Sequence, residues 1–304
     1  MDLTEFAGTS VLVTGGAGFI GSHIADMVVD HADVRILDDL SSGSRDHVPD
    51  QATLIEGDIR DEDTVERAMD GIDFLFHEAG LVSVPESLER PMDCHEINGT
   101  ATVRLLEAGR RNDSRVVIAS SAAIYGHPGH VPVPEDASKD PQSPYGIEKL
   151  SADHYVQTYA AQYDLDAVAL RYFNVYGPRQ SGGQYSGVIS AFVDQARSGG
   201  PITVEGDGEQ TRDFIHVDDV VDANLRAATI DSAETAFNVG TGNSVTINEL
   251  AETVRDIVDA DVPITHVDPR PGDIRHSKAD ISRARRELDF DPSIQLADGL
   301  PTAL

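Results

Sequence analysis

Val11-Leu12-Val13-Thr14-Gly15-Gly16-Ala17-Gly18-Phe19-Ile20-Gly21 decides how this chain folds. A run of strand character enters a turn with glycines at 15, 18 and 21, and a helical pattern follows. The spacing is G-x-x-G-x-x-G. Such a turn lets backbone N–H groups approach a pyrophosphate, and the N-terminus of the following helix favours its negative charge. A tight turn without a ligand is the bland reading. The strand before it and the helix after it supply the context that a dinucleotide-binding turn requires.

Downstream, short β-rich runs at residues 34–38, 53–56, 74–77, 116–120 and 167–171 alternate with helical stretches that include 61–69 and 100–111. Several runs are apolar throughout, as strands buried on both faces are. Alternation of this kind predicts a parallel sheet covered by helices on both faces. Past residue 172 the pattern loosens, with glycine and proline clustered over 177–187 and 199–208. A helix and a strand return at 217–228 and 236–239. The expected fold is α/β, a Rossmann-like doubly wound parallel sheet with a smaller, interleaved C-terminal substrate lobe. Residues 1–172 would form the dinucleotide-binding domain, with returning segments near 214–240, and 173–304 mainly the second lobe. No internal repeat or low-complexity segment interrupts this plan.

The second strand ends at Asp38, twenty residues past Gly18. An acid there can accept hydrogen bonds from both adenosine ribose hydroxyls and repels a 2′-phosphate, which favours NAD over NADP. Arg45 lies too far along the loop to serve as a phosphate clamp. Asp58-Ile59 follows the third strand and is placed to meet the adenine edge; a surface loop acid is the default reading of Asp58 alone.

The 304 residues allow one large α/β domain or two joined lobes. There are 53 acidic residues against 23 basic ones, a formal net charge of −30. A surface of that sign repels nucleic acid and anionic membrane. The acid is spread along the chain, and only Lys139, Lys149 and Lys278 are lysines. Adaptation to high salt, where screening removes self-repulsion, is the favoured reading; an ordinary acidic protein is the alternative. No apolar run is long enough to span a membrane, and no signal-peptide pattern is read. The single cysteine, Cys94, forms no internal disulfide and fits a reducing cytoplasm.

Tyr145 and Lys149 stand four apart and share a helix face. An ammonium beside a phenol is expected to lower the tyrosine pKa towards the working range. Lysine has been nearly eliminated from this chain yet is kept here, where a compact point charge meets ribose hydroxyls better than arginine would. Ser120 and Ser121 close the fifth strand at the carboxyl edge, where α/β ligands bind. A hydroxyl there can bond the same substrate oxygen as the tyrosine. Singly, these are an exposed helical pair and two strand-end caps. Glycine turn, strand-end serine and Tyr/Lys in this order are jointly far less common.

With these residues the chain resembles the extended short-chain dehydrogenase/reductases of the nucleotide-sugar epimerase/dehydratase type, and most of all their UDP-glucose (UDP-galactose) 4-epimerase branch. The likeness runs from Val11 to about Asp280. It rests on Thr14 to Gly21, Gly57-Asp58-Ile59, His77-Glu78-Ala79-Gly80, Ser120-Ser121-Ala122-Ala123-Ile124-Tyr125-Gly126, Tyr145/Lys149, Arg171-Tyr172-Phe173-Asn174, Arg212-Asp213-Phe214-Ile215-His216-Val217 and Arg270-Pro271-Gly272-Asp273. The resemblance implies that Ser121 is the catalytic hydroxyl, Tyr145 the general base and acid, and Lys149 the group orienting the nicotinamide ribose. It implies NAD contacts from Gly15, Gly18, Phe19, Ile20, Gly21, Asp38, Asp39, Ser42, Gly43, Asp58, Ile59, Ala79, Gly80, Leu81, Asn98, Ser120, Tyr145, Lys149 and Tyr172. Asn174, Arg212 and Arg270 would hold the sugar-nucleotide pyrophosphate, a task suited to the arginine fork. Ser121, Tyr145, Val188, Thr203 and Asp273 would complete the substrate site. No metal is implied.

Relatives that dehydrate or decarboxylate place acids just after the catalytic hydroxyl. Here those positions are Ala122 and Ala123, which transfer no protons, so epimerisation is favoured over elimination. Two departures bear on the substrate. Relatives often carry an aromatic near Thr203-Val204-Glu205 on which a base stacks, and this chain has Glu205. Ser277 stands where strict galactose epimerases are bulky, which leaves room for an N-acetyl group. The alternatives are a dehydratase or reductase of the same family, or an NAD-binding scaffold without turnover. A homodimer is expected by resemblance, through the helices containing residues 100–111 and 145–163.

Overall fold

The structure is a computed structural model that describes residues 3–180, 187–232, 234–270 and 272–303. Residues 181–186 of the glycine- and proline-rich stretch, and Pro271, lie outside the described residues. Along the first half the chain alternates β1 (Ser10–Thr14), α1 (Phe19–Val28), β2 (Asp33–Asp38), β3 (Thr53–Glu56), α2 (Glu62–Met69) and β4 (Phe74–His77). There follow α3 (Val84–Glu89), α4 (Pro91–Cys94), α5 (Ala101–Asn112), β5 (Arg115–Ser121), α6 (Pro144–Tyr163) and β6 (Ala167–Tyr172). The second half contributes β7 (Asn174–Tyr176), α7 (Val188–Arg197), β8 (Ile202–Glu205), β9 (Thr211–Arg212), β10 (Phe214–His216), α8 (Val217–Thr229), β11 (Ala236–Val239), β12 (Val245–Thr246), α9 (Ile247–Val258), β13 (Ile264–Val267) and α10 (Ser282–Leu288).

Seven strands form one sheet in the order β11-β6-β5-β4-β1-β2-β3, every pairing parallel. The chain winds outward from β1 through β2 to β3, then crosses back to β4 on the other side of β1. The carboxyl ends of β1 and β4 therefore border the switch point at which doubly wound sheets bind ligands. Strand β1 over residues 11–13 and strand β6 over residues 167–170 are apolar because both faces are covered. Ile24 and Val28 of α1 and Val220 and Leu225 of α8 pack one face, while Val65 of α2, Leu105 of α5 and Val156 of α6 pack the other. Fully buried Phe76 and Phe237 each contribute about 1.5–3 kcal/mol.

The helix and strand expected to return past residue 214 do return: β11 adds the edge strand beside β6, and α8 packs beneath it. One further return was not expected. Ala284, Leu288 and Phe290, far into the second half, are also buried in the main sheet's core. A separate apolar cluster joins Tyr176, Phe192, Ile202, Phe214, Ile247 and Leu250 beside the short β8–β13 pair.

Candidate functional site

The glycine turn is built by close backbone approach. Gly15 has φ +69°, and a Cβ there would stand 2.6 Å from the Ala79 backbone nitrogen, so no L side chain fits. A Cβ at Gly21 would strike the Gly15 carbonyl. Gly18 caps α1 with no side chain to accept from its first turn. That leaves the N–H groups at Phe19 and Ile20 to meet an anion at the positive end of the helix.

Asp38, at the end of β2, is 8% exposed and accepts from the Ala17 N–H at 2.9 Å and the Leu40 N–H at 2.8 Å. Its carboxylate is thereby fixed against the turn with lone pairs left for two hydroxyls. The loop after it folds back: a Cβ at Gly43 would be 2.8 Å from the Ala17 carbonyl carbon, and Ser44 N–H donates to Ala17 O at 2.9 Å. Ser42 rides on this loop, and Asp39 caps it through the Ser41 N–H at 2.9 Å. Arg45 pairs with Glu56. Asp58 is held by Arg60 through two prongs, at 2.9 and 2.6 Å, which pulls its pKa down. Arg60 was not singled out in the sequence. Ile59 beside it is buried.

At the end of β4, the Asn98 side chain accepts from Leu81 N–H and donates to Leu81 O, both at 2.8 Å. Asn98 thus acts on the backbone that carries Ala79, Gly80 and Leu81. A Cβ at Gly80 would lie 2.9 Å from Asn98 Oδ1 and 3.7 Å from Lys149 Nζ, so glycine lets the lysine approach.

Ser121 ends β5 and Tyr145 opens α6, whose N-cap is Ser143 with Pro144 in the first turn. Gly146 brings the two elements together; a Cβ there would be 3.0 Å from the Ala123 carbonyl oxygen. The Tyr145 hydroxyl hydrogen-bonds Ser121. Lys149 is buried, donates to Ala119 O at 2.6 Å and stands 6.0 Å from the Tyr145 ring centre. The expectation that Lys149 lowers the tyrosine pKa is corrected here. Burial pushes the Tyr145 phenol up, and only the Ser121 hydrogen bond works against it. Burial also draws Lys149 down to about 8, opposed by the carboxylate of Glu78. The ammonium is committed to a carbonyl rather than to the phenol.

Ser120 and Ser121 part company. The Ser120 hydroxyl turns into the core and donates to Asp153 Oδ2 at 3.3 Å, so what it offers a cofactor is backbone. Asp153, fully buried, holds Arg171 by two bonds of 2.8 Å. Arg171 also donates to the Tyr125 hydroxyl at 2.9 Å and Glu135 O at 2.8 Å. Sequence reading missed this network. Its one local signal was Asp153 continuing the Tyr145, Lys149 spacing along the same helix face. Tyr172, next to Arg171, donates to Glu78 Oε1 at 2.8 Å and accepts from Asn224 Nδ2 at 2.8 Å.

Asn174 follows two residues after Tyr172, and its N–H donates to Asp213 O at 3.0 Å. Asp213 precedes β10 and adjoins Arg212, so a short backbone path links the sheet edge to the arginines. Arg212 pairs with Asp273 at 2.5 Å. Arg270 pairs with Glu205 through Nε at 2.9 Å and Nη2 at 3.1 Å. Asp273 and Glu205 are thus partners of the arginines: the resemblance puts Asp273 among the substrate contacts, but its carboxylate is on Arg212. The Thr203 hydroxyl is likewise taken, by Gln195 at 2.7 Å. Val188, at the start of α7, is half-buried and packs against the apolar cluster of the second lobe. Ser277 N–H donates to Thr211 O at 3.1 Å, beside Arg212. Glu205, Gln210, Arg270, Asp273 and Arg275 help to line a cavity of about 540 Å³. None of its lining residues belongs to the Ser121–Tyr145–Lys149 group, so that group and the cavity are separate parts of the site.

The residues fit a dinucleotide: an uncapped helix N-terminus after a turn that excludes Cβ atoms, a fixed carboxylate at the β2 end, and an acid/base pair across the switch point. They could hold NAD through the α1 N-terminus, Asp38, the backbone of Ala79 to Leu81, and Lys149. The sequence profile of the NAD-dependent epimerase/dehydratase family matches residues 11–240. The UDP-glucose 4-epimerase of Mycolicibacterium smegmatis is 39% identical over 299 residues, covering 95% of each chain. The structure of UDP-glucose 4-epimerase from Thermotoga maritima with UDP-glucose superposes with a TM-score of 0.94 at 37% identity, covering 97% of both chains. That of UDP-N-acetylglucosamine 4-epimerase from Methanobrevibacter ruminantium, in complex with UDP-N-acetylmuramic acid, gives 0.94 at 38% identity, covering 98% of this chain and 97% of the other.

Proposed function

The chain belongs to the NAD-dependent epimerase/dehydratase family, and from that premise we propose that it is a nucleotide-sugar 4-epimerase, interconverting UDP-glucose and UDP-galactose through a transient 4-keto sugar. One observation carries the reading of the reaction. The Tyr145 hydroxyl is hydrogen-bonded to Ser121, Lys149 stands behind it, and the next two residues, Ala122 and Ala123, offer only methyl groups.

When bound, NAD supplies a reversible hydride acceptor. Tyr145 takes the proton of the sugar 4-hydroxyl and later returns it. Ser121 holds the same oxygen in line and favours the phenolate through its hydrogen bond, and Lys149 orients the ribose. With no second acid at 122 or 123, no proton is delivered to a departing hydroxyl, so the keto sugar goes back to an alcohol. Arg212, Arg270 and Asn174 hold the pyrophosphate, with Ser277 leaving room for an N-acetyl group. Similarity to a UDP-N-acetylglucosamine 4-epimerase supports a trial of that substrate.

The same proposal extends to organisation. Residues 1–172 with the returning segments near 214–240 serve the dinucleotide, and most of 173–304 the sugar nucleotide. The protein works in a high-salt cytoplasm, as its charge of −30 suggests. It works as a homodimer through α5 and α6. Ile147, Tyr155 and Tyr163 on α6, with Leu88 on α3 and Met92 on α4, two helices that pack against α6, leave apolar side chains exposed for a second copy.

Purified protein is incubated at high salt with UDP-glucose, UDP-N-acetylglucosamine and their dTDP counterparts, without added NAD. UDP-galactose is the expected product. A 4-keto-6-deoxy sugar would select the dehydratase reading, and no product from any of them would leave an NAD-binding scaffold.

A further inference from the structure

Glu78 has no part in the chemistry above, yet it is an ionisable group set against that machinery. It follows β4 directly. Its backbone N–H donates to Thr14 O at 3.1 Å, beside the glycine turn, and its Oε1 accepts from the Tyr172 hydroxyl at 2.8 Å. Asn224 fixes that hydroxyl from the far side at 2.8 Å and is itself tied to Val220 O at 2.8 Å. The carboxyl group is therefore anchored from β6 and α8, two elements of the main core. It bears electrostatically on Lys149 and on Tyr145.

We propose that the carboxylate of Glu78, anchored by Tyr172 and opposing the charge of Lys149, makes this site prefer the oxidised dinucleotide to the reduced one. The inference rests on the epimerase reading in one respect: the nicotinamide must lie near Tyr145 for hydride and proton to leave the same carbon–oxygen unit. An oxidised nicotinamide carries one positive charge that the reduced ring lacks. Beside a lysine ammonium alone, that charge would be disfavoured. A buried carboxylate offsets it. An enzyme that returns its hydride every turn needs the oxidised form as its resting state.

The preference must follow the protonation of Glu78 by linkage. Burial pushes Glu78 up to about 7, against the Tyr172 hydrogen bond and Lys149. The titratable groups facing it are Tyr172 from β6 and Tyr145 and Lys149 from α6. His77, its neighbour in β4, bonds Thr14 and Thr102 on the opposite face, and Cys94 acts on Lys149 and Tyr145.

The test is partition, not turnover. The full-length protein is equilibrated with known mixtures of NAD⁺ and NADH, and the bound ratio is measured by extraction from pH 5.5 to 7.5; Lys149, drawn down to about 8, also begins to titrate in Glu78→Gln, so the difference between the two proteins reads Glu78. The wild type should bind NAD⁺ about tenfold more favourably at the upper end, which is about 30 mV for a two-electron couple. Glu78→Gln, nearly isosteric, should lose that step. Tyr172→Phe should keep the step and move its midpoint to higher pH, because it removes a bond that favours the carboxylate. A Glu78→Gln ratio that tracks the wild type overturns the proposal. So does a Tyr172→Phe step with its midpoint below that of the wild type, since the lost bond is one that favours the carboxylate. No sugar is present, so failure of the epimerase assay and failure of this test remain distinct.

Discussion

Replacing Asp153 by alanine removes one half of a buried ion pair and leaves the other half in place. Asp153 is 0% and Arg171 2% exposed, and the two share bonds of 2.8 Å at both prongs. In the variant Arg171 keeps the Tyr125 hydroxyl and the Glu135 carbonyl. It cannot shed its charge, because a guanidinium does not deprotonate in a protein. An uncompensated buried charge costs about 3–5 kcal/mol. Unfolding entropy of about 2.1 cal/mol/K per residue over 304 residues is about 0.6 kcal/mol/K. The melting temperature should therefore fall by about 5–8 °C. Thermal unfolding followed by circular dichroism at 0.5 and 3 M salt (order-of-magnitude choices that bracket a Debye length of about 3 Å at 1 M) gives a second check. Screening weakens exposed pairs but does not reach this one, so the loss should be the same at both. A fall under about 2 °C, or one that shrinks with salt, would refute the claim that the pair is buried and structural. Joint replacement by Asp153→Leu and Arg171→Met should recover part of the loss, since it leaves no charge behind.

Gly15→Ala should cut NAD affinity at least tenfold, read by NADH fluorescence titration. A side chain at φ +69° must push against the Ala79 backbone and costs about 1–3 kcal/mol in strain. Tyr145→Phe should retain NAD and lose about 10²–10⁴-fold in turnover; unchanged turnover would remove Tyr145 from the acid/base role. Acid stability should show two neighbours in opposition. Burial holds His77 down at about 3, so the unfolded chain takes up its proton first, and stability is lost as pH falls below the ordinary 6.5. Glu78 is raised to about 7 from 4.5, so its contribution is full below 4.5 and is lost as pH rises through 7. Urea unfolding at pH 5.5 and 6.5 should be nearly level in the wild type from this pair. In Glu78→Gln it should lose about 1 kcal/mol over that unit. Equal slopes in both proteins would contradict the assignment.

What was legible in the sequence was whatever depends on near neighbours. The glycine turn, the six strands from 11 to 171 and the Tyr145/Lys149 face are set by spacings of two to seven residues, and sequence preserves those directly. The returns of α8 and β11 were legible because their apolar patterns are strong. The third return, around Ala284 and Leu288, lies in a short helix rich in arginine and gave no such signal. Asp153 and Arg171 meet only after α6 packs on β5 and β6. The Tyr145 pKa was misjudged for a related reason. A lysine four residues away is local information, whereas burial by the rest of the fold is not, and burial won. Asp273 was placed against the substrate because the motif it ends is shared. Its carboxylate was already needed by Arg212, across sixty-one residues of chain.

Those captured arginines bear on how so acidic a protein binds anions. Arg212 carries Asp273 and Arg270 carries Glu205, so each basic group is locally close to neutral. A pyrophosphate approaching a chain of net charge −30 would find little long-range attraction from them. Binding must come at contact distance, from the guanidinium N–H groups left unpaired and from the uncapped α1 N-terminus. In concentrated salt this arrangement loses little, because attraction beyond a Debye length of about 3 Å is screened in any case. Glu205 then has a physical place beside Arg270. It meets Arg270 with both prongs at the edge of the cavity; on the proposed reading, the arginine would then meet a pyrophosphate as a donor array rather than as a free charge.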